Sequence, residues 1–459
     1  MKFIDLFSGI GGFRSALELN GHECIAYSEV DKFAKQSYQA IYNTEDEIDL
    51  GDITKISEEY LSHFKQENDI VVGGSPCQSF SLAGSRKGFE DTRGTLFFEY
   101  AKVVKETQPK YFLFENVKGM LSHDKGNTIR VVLETFDQLG YYIDFNVFNS
   151  KYYDVPQNRE RIYIVGKRKD LVDSPKYQKK VKGKKKLEEV HNWAVDNINY
   201  VELLPQLQTE VTTRLVDVLE DEVDEKYYLS EEKTKKLTLD NDLGGKLNMY
   251  DYNERDRVHS VNKVSPTLNT MLGGDRQTKV AVTGNTSNTG YKSHDVHDTD
   301  GLSPTVAARD YKGPKQIAVR EATKQGYAIA EQGDSVNVTY PDSKTRRGRV
   351  GKQVAQTLQA GEVNQGVVID DTQGYDGTRI YKGVSPTIRS SRSGLKTIDN
   401  LRIRKLTPLE CWRLQSFTDE QFYKAKDSGV SNSQLYKQAG NAVTVNVVDY
   451  IVKNIIKEQ

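Results

Sequence analysis

Cysteine is scarce in this chain. Its 459 residues include three, Cys24, Cys77 and Cys411, too far apart for a metal-ligand spacing such as CxxC. So sparse and odd a set argues against a disulfide framework and for a reducing compartment, where one thiol can be kept for reactivity. The histidines are scattered and form no ligand cluster, so no metal is expected. No run of 18 apolar residues exists, which excludes a membrane-spanning helix. The opening MKFIDLFSGIGGF has one lysine and then Asp5 inside an apolar alternation, the pattern of a buried first strand and not of a signal peptide. A cytoplasmic chain is expected. An excess of one charge is also missing: 64 basic residues face 65 acidic ones, a net charge of −1. That excludes a uniformly basic protein but leaves room for a basic cleft. The conspicuous basic run, KYQKKVKGKKK at 176–186, reads either as a solvated loop or as a phosphate contact.

What is present is organised. The length allows two or three domains on a prior of about 150 residues each. Over 1–168, KFIDLF, HECIAYSEV, DIVVGG, YFLFENV, YIDFNVFN and RIYIVGKR read as short strands bounded by Gly, Asp or Asn. Between them the pattern predicts helices over 12–20, 32–42, 95–106 and 127–139. In the last of these Ile129, Val132, Leu133 and Phe136 share one face. Strict alternation means βαβ units and a mostly parallel sheet, with ligands bound outside the carboxyl ends of its strands. Residues 169–240 are charged and partly helical, whereas 245–400 are rich in Gly, Asp, Asn, Thr and Ser. Four segments repeat one degenerate pattern: Val264-Ser265-Pro266-Thr267-Leu268, Leu302-Ser303-Pro304-Thr305-Val306, Val354-Ala355-Gln356-Thr357-Leu358 and Val384-Ser385-Pro386-Thr387-Ile388. Spacings of 38, 52 and 30 residues are too uneven for a solenoid. The repeats are either turns that start strands or turns that present groups to a partner. Helices return over 407–415 and 431–456.

Three features suggest a nucleoside pocket. Asp5-Leu6-Phe7-Ser8-Gly9-Ile10-Gly11-Gly12 runs a strand into a glycine loop that opens a helix, where backbone can approach an anionic group. The glycines do not fit GxGxxG, which disfavours a nicotinamide dehydrogenase; a plain tight turn is the competing reading. Glu29 ends the second strand, where a carboxylate can take ribose hydroxyls. Asp52 beside Ile53 suits an adenine amino group and ring face. Each acid alone is as readily a solvated loop carboxylate. A fourth feature is Gly73-Gly74-Ser75-Pro76-Cys77-Gln78-Ser79-Phe80-Ser81. A lone cysteine after a strand is often a core residue. Here Gly-Gly before it and a polar run after it place Cys77 on a loop at the strand's carboxyl end, where a nucleophile belongs.

At this point the residues resemble the cytosine-5 DNA methyltransferases. PCQSFSLAG resembles that family's Pro-Cys-Gln motif and DLFSGIGGF its cofactor loop. Phe114-Glu115-Asn116-Val117 resembles its Glu-Asn-Val motif, and Gln157-Asn158-Arg159-Glu160-Arg161 its paired arginines. Arg404-Lys405-Leu406-Thr407-Pro408-Leu409-Glu410-Cys411 and Gln438-Ala439-Gly440-Asn441-Ala442-Val443 resemble its last two motifs. All six occur in the family's order and cover roughly 1–168 and 402–455.

The resemblance implies an α/β fold: a Rossmann-like S-adenosylmethionine-dependent methyltransferase domain at 1–168 plus 432–459, and a smaller, mostly β target-recognition domain at 169–431, its variable region 169–401. It implies methyl transfer to carbon 5 of a flipped cytosine in double-stranded DNA, with S-adenosylhomocysteine as product and no metal. Cys77 would be the nucleophile, Glu115 the acid at N3, and Arg161 and Arg159 the groups holding that carboxyl and the base's exocyclic oxygen. Phe7, Gly9, Gly11, Gly12, Glu29, Asp52, Ile53, Pro76, Leu96, Asn441 and Ala442 would bind the cofactor. Gln78 and Ser81 would close over the base, while Arg309, Arg389 and Arg392, each just after a repeat, would meet DNA. A monomer of the bacterial cytoplasm or nucleoid is expected, with a cognate restriction endonuclease as functional partner. A transfer RNA substrate is the alternative, but that branch carries a short single insert and this one is long and repetitive. A relative that has lost activity would show a damaged motif, and none is damaged.

Overall fold

The first strand, β1 (Lys2–Leu6), is buried from its second residue onward and lies inside a seven-stranded sheet, third from one edge. A computed structural model describes residues 1–76, 96–183, 185–228, 245–246, 257–259, 279–280, 316–323, 325–341, 343, 345–357, 365–370 and 401–456. The other strands are β2 (Glu23–Ser28), β3 (Ile48–Asp49), β4 (Ile70–Gly73), β5 (Tyr111–Val117), β6 (Tyr141–Asn149) and β8 (Glu160–Arg168), with a two-residue strand β7 (Gln157–Asn158) before the last. Their order is β3-β2-β1-β4-β5-β8-β6. Pairings from β3 through β5 are parallel; β8 runs antiparallel to both β5 and β6. The order reverses between β1 and β4, so the loops leaving these two strands flank the crevice where such sheets bind ligands.

Helices α1 (Gly12–Leu19), α2 (Lys32–Ile41), α3 (Glu58–Ser62), α4 (Leu96–Thr107) and α5 (Asn127–Gln138) connect the strands. The predicted face of α5 is the observed one: Ile129, Val132, Leu133 and Phe136 are fully buried. Phe136 stacks on Phe112 of β5 at 4.1 Å between ring centres. Gly166 of β8 makes that packing feasible, since a Cβ there would lie 1.9 Å from the Phe112 ring.

The chain divides into two compact units. One comprises Met1–Thr213 and Pro408–Gln459 with 359–362; the other comprises Arg214–Leu358 and Val363–Thr407. The first unit is therefore wider at both joints than the expected span of 1–168 plus 432–459, and packing is the reason. Helix α6 (Lys186–Asn197) buries Val190 and Ala194 in the sheet's core, and Tyr200 stacks on Phe145 at 5.2 Å. In α7 (Pro408–Arg413), buried Trp412 donates its indole N–H to the Leu435 carbonyl at 3.0 Å. The single helix expected over 431–456 is two, α9 (Asn432–Asn441) and α10 (Val445–Ile455), and a further helix, α8 (Asp419–Asp427), precedes them.

The second unit contains short strands, as its composition suggested. Strands β9 (Gly245–Lys246), β10 (Arg257–His259) and β11 (Lys279–Val280) form one small sheet. A hairpin pairs β12 (Gln316–Arg320) with β13 (Tyr327–Glu331). Another sheet has the order β15-β14-β17-β18, from β14 (Ser335–Asn337), β15 (Val350–Gly351), β17 (Gln365–Asp370) and β18 (Leu401–Lys405); β16 (Ala355–Gln356) lies between them in sequence. Among the described residues no helix is long and apolar enough to cross a membrane. In the basic run, Lys176, Lys180 and Lys186 pair with Glu202, Asp196 and Glu189, which favours the solvated-loop reading.

Candidate active site

The glycine loop after β1 is held open by its backbone. Phe7, Gly9 and Gly11 all have positive φ, at 52°, 57° and 84°. The non-glycine among them, Phe7, bears the strain that such a conformation brings. Tyr42 forms the floor: its hydroxyl donates to the Gly11 carbonyl at 2.8 Å, and its ring leaves no room for a Cβ at Gly11. Glu29, at the end of β2, accepts the Gly9 N–H at 2.8 Å through Oε2 and the Val30 and Asp31 N–H groups through Oε1. A carboxylate has about four acceptor sites, so one remains for an outside donor. Asp52 is half-exposed and caps its own turn, accepting the Thr54 N–H at 3.1 Å; Ile53 beside it is buried. Val30 stays exposed next to Glu29.

Glu115 projects from the carboxyl end of β5, buried among protein atoms. Burial pushes its carboxyl above the ordinary value, against the lowering pull of Arg161 and then Arg159. Arg161 lies across the antiparallel pair, with Nε 3.1 Å from Glu115 Oε1. On the other flank is the segment that leads to Cys77. A Cβ at Gly74 would lie 2.7 Å from Glu115 Oε2, so only glycine lets this loop pass so close. Asn116 then fixes the loop by donating its amide to the Ser75 carbonyl at 2.9 Å. Neither Gly74 nor Asn116 was assigned a role from sequence, although the Gly-Gly and Glu-Asn-Val runs contained both. Cys77, Gln78 and Ser81 lie outside the described residues, as do Arg309, Arg389, Arg392 and three of the four repeats. Within the fourth repeat, Ala355 and Gln356 form β16.

Arg159 differs from expectation. Its guanidinium does not reach the Glu115 carboxyl but donates to the carbonyls of Gly440 at 3.2 Å and Ala442 at 2.7 Å. Burial, then Arg161, pulls its pKa down to about 10. Arg159 thus joins the arginine strand to the end of α9 and acts on Glu115 only through charge. A buried polar chain reinforces the joint. Gln415 donates to Gln157 at 2.9 Å and accepts from Thr444 at 3.0 Å, and Thr444 and Ser150 share a hydrogen bond of 2.9 Å. Asn441 is exposed at the end of α9 and Ala442 buried beside it. The next carbonyl, Val443, is packed so closely on the glycine loop that a Cβ at Gly12 would be 2.4 Å away. One stretch of chain therefore touches both the glycine loop and the arginine strand. Leu96 opens α4 half-buried, and Pro76 ends the described loop exposed.

The two cysteines that are described, Cys24 and Cys411, are buried free thiols whose ionisation burial pushes well up, so neither is a nucleophile.

A family model for C-5 cytosine-specific DNA methylases matches residues 1–457. The chain is 40% identical over 504 aligned residues to the orphan methyltransferase M.Rho11sI of Bacillus phage rho11s, covering 99% of this chain and 98% of the relative. It is 40% identical to the orphan methyltransferase M.SPRI of Bacillus phage SPR, covering 99% and 97%. It is 30% identical to the type II methyltransferase M.BanI of Aneurinibacillus aneurinilyticus, covering 100% and 96%. A family match over nearly the whole length and full-length relatives at this identity have one reading: the chain belongs to the C-5 cytosine-specific DNA methylases and is a DNA cytosine-5-methyltransferase.

Proposed function

We propose that the chain methylates carbon 5 of a cytosine flipped out of a specific duplex sequence, through a transient covalent bond from Cys77. The observation that carries this reading is the buried Glu115–Arg161 pair, set beside the Gly74–Ser75 run that leads to Cys77. A stacked cytosine cannot meet a group at the floor of a sheet, so the base must leave the helix. The Cys77 thiolate adds to carbon 6, and the electrons of the ring double bond move toward N3. Glu115, whose carboxyl burial pushes toward holding a proton, donates one there. Arg161 keeps the carboxyl oriented and takes up the charge it acquires. S-adenosylmethionine, when bound, supplies the electrophilic methyl group that the enamine carbon 5 accepts. The carbon 5 proton then leaves to water, the carbon 6–sulfur bond breaks, and N3 returns its proton to Glu115.

The residues fit that cofactor. The glycine loop gives close backbone approach, Glu29 has an acceptor site for a ribose hydroxyl, half-exposed Asp52 can meet an amino group, and Val30 offers apolar surface. Phe7, Gly9, Gly11, Gly12, Pro76, Leu96, Asn441 and Ala442 complete the proposed set. The second unit, with Gln78 and Ser81 from the first, would read the target.

The test is a duplex carrying 5-fluorocytosine at a site mapped by bisulfite sequencing of plasmid from expressing cells. Carbon 5 then has no proton to lose, so the adduct should persist and shift the protein's mass, while Cys77→Ala should form none and transfer no methyl. A Cys77→Ala variant that still methylates would sink the mechanism. As for setting, a restriction–modification pair would need an endonuclease that the methylated sequence resists. The names of the phage relatives, orphan methyltransferases at 40% identity, favour an enzyme that acts without one.

A further inference from the structure

The loop between β14 and β15 in the second unit combines a hydrogen-bonded base with an excess of basic residues. Its sequence, Val338 to Gly348 with Arg349 behind, contains four cations and one acid. Arg349 is fully buried beneath it and donates to the carbonyls of Asn337, Thr339 and Tyr340 at 3.1, 3.1 and 2.8 Å. Glu321 accepts the N–H groups of Gly348, Arg349 and Val350. Glu321 and Arg349 are thus both engaged with backbone. Among the described residues no carboxylate pairs with Arg320, Arg346 or Arg347. Arg347 donates Nε to the Ala322 carbonyl at 2.8 Å, which fixes the stem and leaves the two terminal nitrogens free. Arg346 has its guanidinium 6.0 Å from the ring of Tyr340, a residue 74% exposed with φ of 48°. Its ring therefore packs little against the protein and stands beside the Arg346 guanidinium.

We propose that this loop is a clamp for the phosphate backbone of duplex DNA, with Arg346 and Arg347 each neutralising one phosphate. The proposal rests on the reading of the second unit as the part that meets DNA. Arginine forks match phosphate oxygens two at a time, and a preordered loop loses little freedom on engaging them. Backbone contacts set register and affinity without carrying sequence information.

The test is anisotropy titration of a labelled duplex at several salt concentrations. Each lost phosphate contact lowers the slope of log affinity against log salt by about 0.9, and costs about fivefold in affinity near 0.15 M salt. Arg346→Gln/Arg347→Gln should therefore bind about 30-fold more weakly, with a slope smaller by about 2, on cognate and unrelated duplexes alike. Lys424→Gln/Lys426→Gln, which removes the same charge from α8, should bind as the parent does. If the double variant melts early, Arg346→Gln alone suffices, because that side chain makes no hydrogen bond among the described residues; its expected loss is about fivefold. Unchanged slope and affinity overturn the clamp, and so does a changed site preference at unchanged slope. A parent chain that transfers no methyl to any duplex is a separate result and overturns the functional reading instead.

Discussion

The two units hold their working groups in place by opposite means. In the first, Glu115 and the glycine loop sit at strand ends above a large apolar core that includes Phe97, Phe112, Phe114, Phe136 and Tyr141. In the second, the described core is small (Ile317, Val319, Ala330, Val336 and Val368), and the loop above it is shaped by buried polar side chains, Glu321, Arg349 and Asn337. Apolar packing is non-directional and spread over many contacts, so single losses are partial. A buried polar scaffold is all or nothing, because removing one partner leaves the others unsatisfied in a dry place. Chemistry on a sheet and recognition on a loop should therefore fail differently.

The largest expected effect is chemical. Glu115→Gln should lower the methyl-transfer rate on the order of 10²–10⁴-fold, as loss of a general acid does, with little change in thermal midpoint. The sign of the pH dependence follows from the raised pKa: the protonated carboxyl is the active form, so the parent's rate falls as pH rises through it, whereas the amide variant's residual rate should be flat. A near-normal rate in the variant would remove Glu115 from the reaction. Next is Arg349→Ala. It strands three carbonyls and should destabilise the second unit on the order of 2–5 kcal/mol while the first melts as before. Calorimetry showing one transition that shifts as a whole would break the contrast drawn above.

The last effect concerns a buried acid in the first unit and is seen only as pH changes. Asp5 accepts the Tyr38 hydroxyl at 3.2 Å, and burial pushes its pKa up to about 8 despite nearby Arg14. The folded state thus binds the proton more tightly than the unfolded chain does. Its contribution to stability is full below about pH 4 and is lost as pH rises toward about 8. Asp5→Asn should flatten the dependence of the midpoint on pH across that window and raise the midpoint at its upper end. Parallel curves for parent and variant would mean that the carboxyl is ionised where it lies.

Much of the first unit was legible in the sequence because strand and helix periods are local. Helix α5 was readable from four residues of one face. What sequence could not convey were directions and breaks. Nothing in RIYIVGKR announces that it runs antiparallel to its neighbours. The interruption between α9 and α10 contains neither Gly nor Pro; it coincides with the carbonyls that Arg159 takes. Helix α8 did carry a signal that went unread: the pairing of Thr418 with Gln421 is a capping box. Of the site, residues inside motifs were legible by type, but their tasks were not. Arg159 and Arg161 look equivalent in sequence, yet only Arg161 meets the carboxyl. Gln415 and Thr444 were invisible because their partners lie far away, Gln157 being 258 positions from Gln415. In the second unit, nothing in the run TRRGR marks Arg349 as the buried one, because its partners are the backbone carbonyls of Asn337, Thr339 and Tyr340.

The joint between the glycine loop and the end of α9 has a consequence for synthesis. Asn20 of α1 bonds Asp449 of α10, a residue 429 positions later, and Gly12 waits for Val443. On the ribosome, the sheet emerges first with an apolar helix face and half a pocket, and must remain so while the whole second unit is made. A fragment ending near 213 should be sticky and blind to cofactor, and a separate 408–459 peptide should rescue it. The insert is thus also a delay line, and its length sets how long the nascent first unit stays unfinished.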